Sequence, residues 1–359
     1  MWSGKVWAGI LFLGFLLFLL LPKNDFDPLE RKALAAPPAL DAASLLSGDA
    51  FRRADDYIND HFPLRATFVA ASSYLKLPLG MLCQNGIYPA RGGYLLQEPA
   101  AMTGPEITRN LNQIEAFAAK SGLAPLYLPV PEPGWALSEE IYGPHPPYCD
   151  DLLYEKIDPG ACVDLRDRFY GQKGVYYKTD HHWTTPGAYQ AYTAYCDKAG
   201  FSPLPEAAFE KAVIPGFRGT TCAKSGLYGV SAEEIEIWQN GVPCAVSVVE
   251  PAGAAAALFD WSQAESADPY AVFLGGNFGL MKIQTENKSG RRLLLLKDSY
   301  ANSFVPFLTA HFEEIWLVDL RYYRTGALSA LAEERAITDL LVLYGAGTLA
   351  ATTDFTFLK

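Results

Sequence analysis

The apolar positions open with one unbroken run. Residues 6–21 carry no charge, with Lys5 before them and Lys23 after. At 1.5 Å per residue such a run rises about 24 Å, near the lower limit for crossing a bilayer core. The pattern predicts one N-terminal transmembrane helix, residues 1–22, serving as membrane anchor or signal segment. A cleaved signal peptide is the alternative, since Ala33-Leu34-Ala35 has the small-x-small form of a cleavage site. Six charged residues (Lys23, Asp25, Asp27, Glu30, Arg31 and Lys32) separate that tripeptide from the run. A buried soluble helix fits less well, because no polar face interrupts the apolar positions. The expected location is membrane-anchored with the main domain extracytoplasmic, or secreted if the segment is cleaved.

Residues 23–50, with Pro28, Pro37, Pro38 and many alanines, read as a linker. A folded domain is expected over 51–359. Residues 52–58 have a helical pattern, Asp60-His61-Phe62-Pro63 breaks it, and a second helix runs to Leu75. Residues 87–96 hold a Gly-Gly turn between short apolar runs, the mark of a hairpin. From about 105 onward the period alternates between helix and strand. Ile107, Leu111, Ile114 and Phe117 recur at helical spacing, and Gly122 supplies a C-cap. Strands are predicted at 123–130, 270–274, 293–296, 315–318 and 340–343, with helices near 186–199, 300–311 and 328–335. Continuous apolar strands separated by helices imply an α/β fold, a three-layer α/β/α domain with a mostly parallel sheet buried on both faces. Residues 201–269 are the least patterned and read as an insertion with hairpins.

Composition narrows the function classes. Half of the residues are apolar and 19 % are charged, which excludes a disordered chain. A net charge of −11 without a basic run excludes nucleic-acid binding through phosphate neutralisation. Five His and six Cys, scattered, do not form zinc-finger pairs. The cysteines are Cys83, Cys149, Cys162, Cys196, Cys222 and Cys244. An oxidising exterior would permit disulfides, with sequence-local pairs (Cys149 with Cys162, Cys222 with Cys244) expected; buried free thiols are the alternative.

Two segments carry candidate chemistry. In Tyr176-Tyr177-Lys178-Thr179-Asp180-His181-His182-Trp183-Thr184-Thr185-Pro186, an extended aromatic stretch runs into a helix capped by Thr185 with Pro186 at its first position. Extended backbone puts Asp180 and His182 on one side and His181 on the other. A carboxylate beside an imidazole orients it and stabilises its cation, which a general base requires. In Leu296-Lys297-Asp298-Ser299-Tyr300-Ala301-Asn302-Ser303, a strand ends, turns and begins a helix. Ser299 then sits at the strand's carboxyl edge, where doubly wound sheets bind ligands and helix amides stabilise an oxyanion. Ser299 is the candidate nucleophile, with Asn302 or Asn277 as anion donors. The competing readings are capping by Asp298 and Ser299, a surface Asp–His pair, and metal binding by Asp180, His181 and His182, for which no third ligand group stands at recognisable spacing.

Together the two segments resemble the DHHW proteins, exported bacterial proteins related to the alginate O-acetylation group of the SGNH-hydrolase-like superfamily. Asp56-Tyr57-Ile58-Asn59-Asp60-His61-Phe62-Pro63-Leu64-Arg65 and Val318-Asp319-Leu320-Arg321-Tyr322-Tyr323 extend the match over roughly residues 50–345. The resemblance implies a Ser–His–Asp triad of Ser299, His182 and Asp180; no cofactor and no metal are expected. Lys297 stands where the superfamily's Gly-Asp-Ser form has glycine. The implied activity is O-acetyltransferase or acetylesterase on a surface glycopolymer, with a membrane-bound O-acyltransferase as acyl donor. His181, Tyr177, Trp183 and Tyr300 are candidate substrate contacts by sugar stacking or, alternatively, core around the site. A non-catalytic carbohydrate-binding or scaffold protein is the competing function.

Overall fold

The computed structural model describes residues 2–324 and 326–358, excluding the side chains at positions 2, 3, 10 and 11. Positions 1, 325 and 359, and the side chains of Ile10 and Leu11 in the apolar run, lie outside the described residues. The chain divides into two compact units, Met1–Asn85 with Cys222–Val230, and Gly86–Thr221 with Ser231–Lys359.

The first unit holds helices Trp2–Leu20, Ala42–Ser47, Asp49–Asp60 and Arg65–Lys76. The expected transmembrane helix is not supported: among the described residues, no helix is long and apolar enough to cross a membrane. The helix Trp2–Leu20 spends its first turn on Ser3, Gly4 and Lys5. Its apolar remainder, residues 6–20, rises about 22 Å, against a bilayer core of about 30 Å. The stretch expected as a linker carries structure. Strands Phe26–Asp27 and Lys32–Ala33 pair antiparallel, and the Asp41 carboxylate caps Ala42–Ser47 by accepting from the Ser44 N–H. The buried Asp60 carboxylate takes the Lys32 ammonium at 2.5 Å and the Ala35 N–H at 3.0 Å. That ties the stretch down.

The second unit is built on a six-stranded mixed sheet. Its strands are β1 (Pro125–Val130), β2 (Cys244–Glu250), β3 (Leu280–Thr285), β4 (Arg292–Lys297), β5 (Glu314–Val318) and β6 (Asp339–Gly345), in spatial order β1-β6-β4-β5-β3-β2. The first three pairings are parallel and the last two antiparallel. Helices α1 (Gly104–Ser121), α2 (Thr185–Ala199), α3 (Ala301–Leu308), α4 (Leu328–Glu334) and α5 (Ala346–Ala351) accompany it. Ile107, Leu111 and Ile114 of α1 share a core with Leu294 and Leu296 of β4, Val318 of β5 and Leu340 and Val342 of β6. Leu293 and Leu295 point the other way and are equally inaccessible, so β4 reads as a continuous apolar run. Each such leucine contributes about 1.5–3 kcal/mol by burial.

The strand expected at 270–274 is a 3-10 turn, Pro269–Val272, followed by Leu274 with left-handed backbone at φ 65°. Tyr270, Val272 and Phe273 are buried in a cluster with Tyr177, Ile214 and Phe217. A short buried apolar run therefore looks the same as a strand by pattern alone. The region 201–269 contains an antiparallel hairpin, Glu210–Phe217 with Glu233–Gln239, and then β2, which extends the main sheet. All six cysteines are free thiols, which corrects the expected pairing. In a chain this large the core needs no staples, and Cys162 and Cys196 act as small buried apolar groups whose thiols burial pushes up to about 12.

The topology fixes where a site can form. The parallel strands β1, β6, β4 and β5 end at one edge, with Gly345 paired to Val130, Lys297 to Leu343 and Leu296 to Val318. Because β3 runs antiparallel to β5, its first residue, Leu280, pairs with Val318, the last of β5. The loop before β3 therefore reaches that same edge.

Candidate active site

The segment bearing Asp180 and His182 folds back on itself. Tyr176 bridges Trp183, the Tyr177 N–H donates to the His182 carbonyl at 3.2 Å, and the Thr184 N–H to the Val175 carbonyl at 2.8 Å. The alternation expected of extended backbone therefore fails. The imidazoles of His181 and His182 lie on the same side, with ring centroids 3.8 Å apart. Helix α2 is capped one residue earlier than expected: the Thr184 hydroxyl accepts from the Gly187 N–H at 3.1 Å. Glu233 holds the other end, accepting from the backbone of Lys178 and Thr179 at 2.8 Å each and from the Thr179 hydroxyl at 2.7 Å.

Asp180 is buried and fully satisfied. Its Oδ1 accepts from His182 Nδ1–H at 2.6 Å and from the His182 backbone N–H at 3.0 Å. Its Oδ2 accepts from the Thr220 N–H at 2.7 Å and hydroxyl at 2.9 Å. The bare α-carbon of Gly219 permits this approach, since a Cβ there would stand 2.2 Å from that of Asp180. Burial alone would raise the Asp180 carboxyl; the charges of His181 and His182 and the hydrogen bonds from His182 and Thr220 outweigh it and hold the group well below the usual range. Since a carboxylate only accepts, the His182 proton belongs on Nδ1, leaving Nε2 as an acceptor. Thr220 spends its hydroxyl proton on Asp180, so His181 Nδ1–H donates to Thr220 Oγ1 at 2.9 Å.

Ser299 lies just beyond β4, half-buried, with Oγ 2.7 Å from His182 Nε2. Asp298 is consumed by the turn: it accepts from the Tyr300 N–H at 3.0 Å and from the Gly345 N–H at 2.9 Å. Burial raises its carboxyl in spite of those bonds. The Ser299 N–H has no acceptor among the described residues. Around His182, Tyr270 stacks at 4.1 Å between centroids and 11° between planes, and Tyr300 meets it edge-on at 5.3 Å. The Trp183 indole donates to the Tyr300 carbonyl at 3.0 Å and the Ser303 hydroxyl at 2.9 Å. Tyr300 Oη donates to the His181 carbonyl at 2.5 Å. Tyr177, Trp183 and Tyr300 are each at most 5 % exposed. They are core that packs the site, and their faces are not open for sugar stacking.

The two asparagines meet beneath the serine turn. Asn302 is buried, and its Nδ2 donates to Asn277 Oδ1 at 3.2 Å and to the Gly276 carbonyl at 3.4 Å. Lys297 Nζ donates to Asn302 Oδ1 at 2.5 Å and to Asn277 Oδ1 at 3.1 Å. Asn277 Nδ2 has no acceptor among the described residues. Burial pushes the Lys297 ammonium down to about 8, and the Arg321 charge acts the same way against Asp319 and Asp298. Asp319 stands 4.0 Å from Lys297 Nζ and is held by Arg321 through two bonds, at 2.9 and 2.6 Å. Lys297, Tyr270, Thr220 and Asp319 escaped the sequence reading as site residues. Only Lys297 left a signal, a charge in a leucine strand where the related motif has glycine.

Asp180, His181 and His182 offer ligand atoms within 4.8 Å of one another. Those atoms are engaged with one another, with Thr220 and with Ser299, as described above.

Residues 160–318 match the family model described as DHHW protein, so the resemblance read from the motifs stands. A DHHW family protein from Eubacterium siraeum shares the fold at TM-score 0.63 and 23 % identity, over 76 % of this chain and 95 % of that one. Bacillus cereus PatB1 does so at TM-score 0.63 and 19 % identity, over 76 % and 99 %. PatB1 with a sulfonyl adduct gives 0.62 and 20 %, over 76 % and 98 %. No curated protein matches the chain. At these identities the likeness is one of fold.

Proposed function

We propose that this chain, whose site-bearing segment matches the DHHW protein model, is a serine acyltransferase or esterase. It moves an acetyl group to or from a sugar hydroxyl of a cell-envelope polymer. The observation that carries the reading is the pair of contacts on His182: Asp180 on Nδ1 at 2.6 Å and Ser299 Oγ on Nε2 at 2.7 Å. Nucleophile, base and orienter in hydrogen-bond reach form the arrangement that activates a serine.

In this reading, Ser299 Oγ attacks the acetyl carbonyl while His182 Nε2 takes the hydroxyl proton. Asp180 keeps the imidazole in the right tautomer and stabilises its cation. The Ser299 N–H and Asn277 Nδ2, both without acceptors, are the donors available to the carbonyl oxygen as it gains charge. The donor's alkoxide leaves with the proton from His182, and Ser299 remains acetylated. An incoming sugar hydroxyl, or water, gives its proton to His182 and attacks the acetyl carbon; the bond to Ser299 Oγ breaks as Oγ takes the proton back from His182, which restores the free serine and neutral imidazole. Donor acetyl would come from a membrane-bound O-acyltransferase.

PatB1 was determined with a sulfonyl adduct. By analogy, a sulfonyl fluoride is expected to modify Ser299 here. The test is hydrolysis of an aryl acetate by the purified chain and by Ser299→Ala. Wild type is expected to turn over and Ser299→Ala to fall by at least about 10³-fold. Equal rates would contradict the reading, and no turnover by either protein would leave a non-catalytic polymer-binding role.

A further inference from the structure

We infer that Lys297 is a positioning residue: its buried ammonium locks the amides of Asn277 and Asn302 so that Asn277 presents its N–H to the anion formed at Ser299. This deepens the acyl-transfer reading and rests on it. Lys297 has no solvent exposure and lies at the end of a strand that is otherwise leucine. A buried ammonium costs several kcal/mol unless it is well solvated by the protein.

The ammonium has three donors and no acceptor, so any amide facing it must turn its oxygen inward. Both asparagines do so. Once Asn302 Nδ2 is committed to Gly276 and Asn277 Oδ1, the amide donor left unspent among the described residues is Asn277 Nδ2, while the third ammonium N–H faces Asp319 at 4.0 Å. A half-turn of the Asn277 amide would aim N–H at an ammonium, and that repulsion keeps the donor outward. The loop bearing Asn277 is anchored on both sides of the serine, since Tyr270 stacks on His182 and Asn277 contacts Asn302. The nearby carboxylates support the ammonium's charge without hydrogen-bonding it. Asp319 is already paired with Arg321 and lies 4.0 Å away, and Asp298 is occupied by the amides of Tyr300 and Gly345. When the ammonium loses its proton, the amine can accept, and the amides are free to turn. With Asp319, Asp298 and Arg321 facing it, that proton leaves near pH 8.

The test is Lys297→Met, which keeps the length of the side chain and leaves Arg321 on Asp319. Its kcat for an aryl acetate is expected to fall about 10²-fold, the scale of one lost oxyanion donor, with KM little changed. Asn277→Ala is expected to cost a similar factor, and the double variant little more than either single one. Wild-type kcat is expected to decline as pH rises through about 8, and the decline to vanish in Lys297→Met. A kcat within about threefold of wild type, or penalties that multiply in the double variant, would overturn the inference. If Lys297→Met does not fold, the wild-type profile decides, and a flat kcat up to pH 9.5, about 1.5 units past the ammonium's titration, overturns it. Wild type without hydrolysis or Ser299 labelling would overturn the acyl-transfer reading itself. An active wild type indifferent to Lys297→Met would overturn only the role of the lysine.

Discussion

Replacing Asp180 with Asn keeps the side chain's size and removes its charge. Two donors from His182 and two from Thr220 converge on the carboxylate. An amide has one oxygen and cannot serve both pairs. If the oxygen stays on Thr220, the NH2 faces His182 Nδ1 and turns that nitrogen into an acceptor. The ring proton then moves to Nε2, where it confronts Ser299, and the base is lost. If the oxygen stays on His182, the NH2 opposes the Thr220 N–H and hydroxyl. The same exchange in serine-protease triads costs about 10⁴ in kcat, about 5.5 kcal/mol of transition-state stabilisation. A comparable loss is expected here in steady-state hydrolysis of an aryl acetate, with a thermal melt to show that the variant is folded. The carboxylate also marks the pH dependence of stability. Its folded pKa lies below the unfolded value of about 3.9, so its contribution is complete above that value and disappears as pH falls through the folded one. The variant is expected to lack that acid limb. A folded Asp180→Asn with kcat within about tenfold of wild type would refute the tautomer argument.

Asn277→Ala removes the unspent donor and is expected to lower kcat by about 10²–10³ with little change in KM; steady-state kinetics on the aryl acetate check it. Leu294→Ala opens a cavity in the core shared by α1 and the sheet and is expected to cost about 2–5 kcal/mol in denaturant unfolding. With all six cysteines free, a thiol reagent applied to protein unfolded without reductant is expected to count six; a count of two would restore the pairings.

The parts of the fold legible in the sequence were those where one physical signal dominates. The leucines of β4 leave no face for water, and α1 carries its apolar stripe between Thr103 and Gly122. What escaped depends on tertiary context. β2 and β3 have few continuous apolar residues, because β2 is only half-buried. Residues around Tyr270 are apolar enough for a strand, yet they are buried as a turn against Tyr177 and Phe217. Asn277 lies at the sheet's edge although the 270–274 segment before it, expected as a strand, is a turn. It reaches that edge because the next strand along the chain, β3, runs antiparallel and begins beside Val318. Asp180, His182 and Ser299 were visible through motif order alone. The side of the loop that His181 occupies was not, because local alternation fails once the backbone folds back.

Peptide mapping after brief exposure to an aryl acetate and acid quench tests the central claim most directly. The account predicts one acetyl group, on Ser299, in the wild-type protein and none in His182→Ala. Turnover with Ser299 unmodified and the acetyl group on another residue would contradict it.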